Sequence, residues 1–424
     1  MSNLTIAGII MVATFASFFH PKVPTVVSAL GAALAFGLTG IVDPSSLFNN
    51  FVSSTCILMI GMMTIGGAMF QTGLGGWIGN KLLKLTGTST GRIQLAVYVV
   101  TFVLATVLTG TAALMIMYPL MCSIALSSKK SMSEVVMFQM AGSIGGSWLT
   151  FAGAGMIGTS AGILEGAGFQ PWGFFEIAWY GVPRLIITIP LLIFFMNKFV
   201  LKDCAFKAPD ENIAKQSGDM AEKLTPKMIL TFAILVLTIT GFVVSPSWLP
   251  IHMCSALGAF AVLITGCITP KEMLYKAVNW ETIILIGGMG TFARGMQASG
   301  FGQLLADSIL KITGADASPI LIVFILMMVT AIITQFMSDN AAVGMTAPIG
   351  IMLAMTQGIP PYAYVMACLV GCSAGHLSVM ASPSLAFTMN MGGYEPKHFF
   401  RFATMIEFPA ALAAGMIMIP LVWL

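Results

Sequence analysis

Two short polar stretches, Thr109-Gly110-Thr111-Ala112-Ala113 and Ser338-Asp339-Asn340-Ala341-Ala342, interrupt long apolar runs in this 424-residue chain, and Pro119 and Pro348 follow them. Their hydroxyl, amide and carboxylate oxygens are hard ligands of the kind that hold a dehydrated Na⁺ or pass a proton. A helix broken at such a point leaves free carbonyls at one end, which suit a cation, and free amides at the other, which suit an anion. Irregular backbone at membrane depth persists only where protein or a water-filled cavity satisfies it, so each tip needs a purpose. The simpler role for the same residues is to cap the half-helices.

A second set of breaks follows each tip. Gly145-Gly146-Ser147 and Thr150 to Gly155 fall in one apolar crossing, and Gly375-His376-Leu377-Ser378 with Ser382-Pro383-Ser384 falls in another. Pro383 removes a helix hydrogen bond and frees a carbonyl; close helix packing is the competing reason for the glycines. Arg294 could bind a carboxylate, pair with Asp339 or Asp307, or reach the outer interface. His376 beside a break could carry a proton or simply hydrogen-bond. Glu176, Arg184 and Glu407 lie near span ends, where pairing is the usual explanation. An enzyme is not expected: His20, His252, His376 and His398 are far apart, and no HExxH motif occurs. No ATP-binding motif, cofactor or nucleic-acid partner is expected. The seven cysteines show no CxxC spacing and read as small packing residues.

The elements that must position these residues are membrane spans. With 57% hydrophobic and 8% charged residues and a mean hydropathy of +0.93, the chain cannot cover a soluble globule and reads as an all-α polytopic membrane protein. Spans are expected at 4–20, 23–42, 51–72, 134–162 and 180–200, and again at 228–246, 251–269, 280–299, 363–392 and 402–424. Re-entrant hairpins are expected at 93–126 and 318–355, because each arm beside a tip is too short for a hydrocarbon core of about 30 Å.

A slide of the chain on itself aligns 28–87 with 255–314 without a gap and with 20 identities in 60 positions; after a small slip, Thr109 falls on Ser338. Two repeats follow, 1–201 and 228–424, joined by the polar linker 202–227. Five spans per repeat is an odd number, so the second repeat enters the membrane inverted. With the N-terminus outside, 16 of the 19 Lys and Arg fall on the cytoplasmic side. Both termini are then outside the inner (plasma) membrane and the linker is cytoplasmic. The first hairpin opens to the cytoplasm, the second to the exterior, and the tips meet near the midplane.

This pattern of paired hairpins and broken spans resembles the ion transporter superfamily, in particular the divalent anion/sodium symporters of dicarboxylates, citrate or sulfate. Ser338-Asp339-Asn340 looks like a variant of that family's second Ser-Asn-Thr tip motif, and Thr109-Gly110-Thr111 like a degenerate first copy. The resemblance implies substrate contacts from Thr111, Thr150, Asn340, Ser382, Pro383 and Ser384, and coupling-ion contacts from Thr109, Gly110, Gly146, Ser338, Asp339 and Gly375. It implies an elevator-type secondary transporter of small organic anions, coupled to Na⁺ or H⁺, working as a homodimer with a moving transport domain. Gly110 and Asp339 depart from the motif, and an Asp-Asn pair is similar to the arsenite and sodium/proton antiporter branch. The alternative function is therefore a cation/proton antiporter or metalloid-oxyanion exporter.

Overall fold

A computed structural model describes residues 2–20, 22–83, 89–211, 224–244, 248–314, 317–374, 376–377 and 382–424. The fold is all-helical, as expected. The first repeat contains α1 (Asn3–Phe18), α2 (Thr25–Leu38), α3 (Ser54–Gln71), α4 (Leu74–Leu83), α5 (Thr90–Ala105), α6 (Gly110–Ser127), α7 (Met132–Gly146), α8 (Gly155–Gly166) and α9 (Ala178–Phe195). The same order then returns as α10 (Pro226–Val244), α11 (Ile251–Ile264), α12 (Trp280–Ala298), α13 (Phe301–Thr313), α14 (Pro319–Ile333), α15 (Asp339–Gln357), α16 (Tyr362–Ser373), α17 (Pro383–Gly392) and α18 (Pro396–Phe402). A π-helical turn, Ala403–Glu407, carries α18 into α19 (Phe408–Trp423).

The tips and breaks are where the sequence placed them. α5 and α6 are separate helices parted at 106–109, and Thr109 caps α6 by accepting a hydrogen bond from Ala112 N at 3.4 Å. Ser338 caps α15 in the same way through Ala341 N, also at 3.4 Å. The crossing expected as one span over 134–162 is unwound at 147–154, and its counterpart at 363–392 divides into α16 and α17.

Two elements were absent from the sequence reading. α4 and α13 follow Gly73 and Gly300, which align in the repeat and take φ values of +79° and +74°, a conformation glycine adopts without penalty. Each glycine turns the chain out of a span into a helix of 10 or 13 residues, too short to cross about 30 Å of hydrocarbon. Only four helical runs among the described residues are long and apolar enough to cross a membrane by themselves: 44–71, 178–200, 226–244 and 396–423. The others are shorter apolar helices, and several of them are the halves of hairpins and broken spans.

Small residues hold each hairpin against the span that follows it. Gly142 and Gly146 lie on the carbonyls of Tyr98 and Phe102, so a Cβ at either would collide with α5. In the second half Gly371 sits on the Met327 carbonyl of α14 in the equivalent way. Backbones this close pack without intervening side chains, the usual device for joining helices in lipid.

Candidate functional site

Both tips and both breaks converge on a cavity of about 520 Å³. It is lined at one side by Thr109, Gly110 and Thr111, and at the other by Ser338, Asp339 and Asn340. Gly153, Ala154 and Gly155 from the first break and Ser382 and Ser384 from the second complete the ring. Four helices, α6, α8, α15 and α17, therefore begin at this cavity, and their N-terminal amides bring partial positive charge to it. α8 and α17 start without a side-chain cap. Ile157 N and Leu385 N donate to the Ala154 and Ser382 carbonyls, and the amides before them, of Gly155 and Met156 on α8 and of Ser384 on α17, are left without a side-chain cap.

The contacts across the cavity are reciprocal. Thr111 of the first tip lies 3.4 Å, hydroxyl to hydroxyl, from Ser384 of the second break, and Ser384 is 2.8 Å from Ser382. Asn340 of the second tip meets Gly155 of the first break, where a Cβ would come within 3.2 Å of Oδ1 and 3.3 Å of Nδ2. In the register that places Thr109 on Ser338, Thr111 corresponds to Asn340 and Gly155 to Ser384. Each tip thus touches the break of the opposite repeat.

Within each repeat the tip also meets its own break. The space beside Gly110 is taken by the hydroxyls of Ser143 and Ser147, which a Cβ would approach to 2.6 and 2.9 Å. The Gly110 amide donates to the Gly153 carbonyl at 3.3 Å. In the second tip Cys372 Sγ lies 3.5 Å from the Asp339 carbonyl. His376, the counterpart of Ser147, places Nε2 4.0 Å from Asp339 Oδ2. Thr334 donates its hydroxyl to Asp339 Oδ1 at 2.7 Å.

Three of the singled-out residues, Thr150, Gly146 and Arg294, lie elsewhere. Thr150 does not line the cavity; it is buried and donates to the Thr106 carbonyl at 2.5 Å, closing the first tip from behind. Gly146 packs on Phe102 as described. Arg294 is not the partner of Asp339: its Nη1 reaches the Ser46 carbonyl at 3.5 Å, and the group paired with Asp339 is His376. Gly375 falls outside the described residues. Pro383 opens α17. The cavity also recruits residues the sequence reading did not single out: Ser143, Trp148, Lys276, Asn279 and Thr282. Thr282 carried a signal, because it aligns with Thr55 in the repeat; Lys276 had none, since its counterpart is Asn49.

A second, largely apolar cavity of about 280 Å³ adjoins the first and shares Met63, Thr109, Ala112, Met115, Lys276 and Ala277 with it. Glu272 lies at its edge, held below the ordinary carboxylate range by hydrogen bonds from the Thr269 hydroxyl and backbone N–H at 2.8 and 3.2 Å.

An all-helical chain with two hairpin tips and two broken spans meeting at a cavity is a membrane-transporter fold. The solved structures agree. MtrF of Neisseria gonorrhoeae, described within a class of antimetabolite efflux pumps, superposes with a TM-score of 0.61 at 16% identity, over 98% of this chain and 95% of that one. The YdaH transporter of Alcanivorax borkumensis also gives 0.61 at 16%, over 91% and 89%. The chain belongs to the citrate transporter family (CitMHS), whose model matches residues 9–371. That is a family of transporters, not enzymes. An uncharacterized transporter of Haemophilus influenzae is 25% identical over 418 residues, 92% of this chain and 85% of its own length. The sodium-dependent dicarboxylate transporter SdcS of Staphylococcus aureus is 23% identical over 412 residues, 87% and 76% of the two chains. Transporters of Synechocystis and Escherichia coli match only 30% and 32% of their own lengths, so this chain spans about a third of those relatives.

Proposed function

We propose that the protein is a secondary active transporter of small di- or tricarboxylates driven by Na⁺, working by an elevator motion as a homodimer. The observation that carries this reading is the reciprocal convergence of tips and breaks on one cavity, Thr111 with Ser384 and Asn340 with Gly155. Helix amides and neutral hydroxyl and amide groups suit carboxylate oxygens, which are anionic and accept hydrogen bonds. The carbonyl ends of α5, α7, α14 and α16, with Ser338 and Asp339, suit a hard cation beside them. Substrate contacts are assigned to Thr111, Asn340, Ser382 and Ser384, and coupling-ion contacts to Thr109, Gly110, Ser338 and Asp339. The family and the sodium-dependent dicarboxylate carriers among the relatives support both the substrate class and the ion. The inverted orientation of the repeats, with both termini outside, rests on the distribution of basic residues.

The test is stabilisation of purified protein by ligand, because a molecule that binds only the folded state raises the unfolding temperature. Succinate and citrate are expected to raise it in NaCl and much less in KCl. Equal stabilisation in both salts, or none by either anion, would contradict the proposal.

A further inference from the structure

We propose that Glu407 and Arg184 are positioning residues for the second tip, acting through His376, and that this chain of contacts ties the tip to the break of the first repeat. The inference rests on the reading of Asp339 as a coupling-ion ligand. Its members come from separate segments. From Asp339 at the start of α15, Oδ2 stands 4.0 Å from His376 Nε2. The opposite ring nitrogen, Nδ1, stands 3.8 Å from Glu407 Oε2. Glu407 closes the π-helical turn before α19 and accepts a hydrogen bond from Nη2 of Arg184 on α9. The Arg184 guanidinium lies 5.5 Å from the ring centre of Trp148, and Trp148 lines the central cavity just beyond α7.

Arg184, His376 and Glu407 are 3%, 5% and 1% exposed. A buried ion pair is seldom retained for stability alone, since apolar residues of similar volume often serve as well. Here the pair is not self-contained. Its Oε2 oxygen faces both Arg184 and His376, while Arg184 Nε and Nη1 and His376 Nδ1 have no hydrogen-bond partner among the described residues. The imidazole has one nitrogen toward each of two carboxylates, so rotating the ring separates it from both. Asp339 accepts a hydrogen bond from Thr334 on one oxygen and faces His376 at 4.0 Å on the other, while Glu407 Oε2 faces the far ring nitrogen at 3.8 Å; both contacts with His376 are of charge with ring rather than hydrogen bonds. Groups behind a ligating side chain commonly fix its orientation and tune affinity. The first tip has no such chain, because Gly110 stands where Asp339 does and Ser147 where His376 does; the two tips are made unequal.

The experiment titrates NaCl against purified protein at constant ionic strength, reading the unfolding temperature, and measures succinate uptake at saturating Na⁺. His376→Leu is expected to raise the half-saturating Na⁺ about tenfold, the scale seen when an outer-shell partner is lost. His376 itself lines the cavity, so the succinate KM at saturating Na⁺ is compared in Arg184→Gln with Glu407→Gln, where it should change less than about threefold. His376→Gln, which keeps a polar group near Nε2, should recover part of the Na⁺ affinity. Glu407→Gln alone strands a buried guanidinium and risks the fold. The double variant Arg184→Gln with Glu407→Gln avoids that and should weaken Na⁺ as His376→Leu does. Half-saturating Na⁺ within about twofold of wild type in His376→Leu and in the double variant, whatever their stability, would overturn the proposal, because an outer-shell role predicts a larger change. Wild-type protein with no Na⁺ dependence at all would overturn the coupling reading itself, and this inference with it.

Discussion

Thr111 and Asn340 occupy equivalent positions on opposite tips, each against the opposite break. Removing either side chain deletes a polar ligand from a preformed cavity and leaves the surrounding helices packed. Thr111→Ala and Asn340→Ala are therefore expected to weaken succinate or citrate binding by about 1–2 kcal/mol each, the usual loss for one hydrogen bond, with the folded protein still recoverable. Ligand-induced thermal shifts check this, and wild-type shifts in both variants would reduce the tips to helix caps. Asp339→Asn keeps the shape and removes the charge, so anion binding should persist while the cation dependence of uptake changes. Unchanged Na⁺ dependence in that variant would refute the coupling role. At this scale the sequence was partly legible. Hydroxyl and amide residues in the middle of apolar runs marked both tips, because so few reasons exist for polar groups there. The direction of single residues was not legible: Thr150 and Gly146 sit beside the breaks but turn toward α5, and whether a residue in unwound backbone faces a cavity or a neighbour depends on dihedral angles that composition does not report. The roles of Arg294 and His376 stay open in the sequence for a related reason, since nothing in it states which charges on different helices share a depth and a face.

The helices meet through glycine. Gly142 and Gly371 are equivalent positions on α7 and α16, and each rests on a carbonyl of the hairpin helix before it. Gly371→Leu would force α14 and α16 apart, and overpacking of this kind costs about 1–3 kcal/mol. The expected outcome is a lower unfolding temperature in detergent and a distorted second tip that loses Na⁺-dependent stabilisation first. Retention of wild-type stability would show that the close contact is not needed. The broken spans and hairpins were visible as interruptions in hydropathy. α4 and α13 were not, because short helices of mixed polarity produce neither an apolar run nor a clear loop signature.

Among the described residues, helices before and after the linker follow the same order, and the family match accords with the resemblance drawn from the tips. Orientation in the membrane is a separate matter, argued from basic residues alone. A cysteine introduced at Lys207, in the polar linker, should react with a membrane-impermeant maleimide only after cells are permeabilised. Equal labelling of intact cells would reverse the assigned topology.

Coupled transport through the cavity where the tips meet is read out by uptake into proteoliposomes. Proteoliposomes containing the protein are loaded with K⁺ buffer and given radiolabelled succinate or citrate outside, with either Na⁺ or K⁺. Saturable accumulation above the external concentration with an inward Na⁺ gradient, collapsing when Na⁺ is equal on both sides, is the predicted result. Accumulation that ignores the Na⁺ gradient, or no uptake of either anion by folded protein, would contradict it.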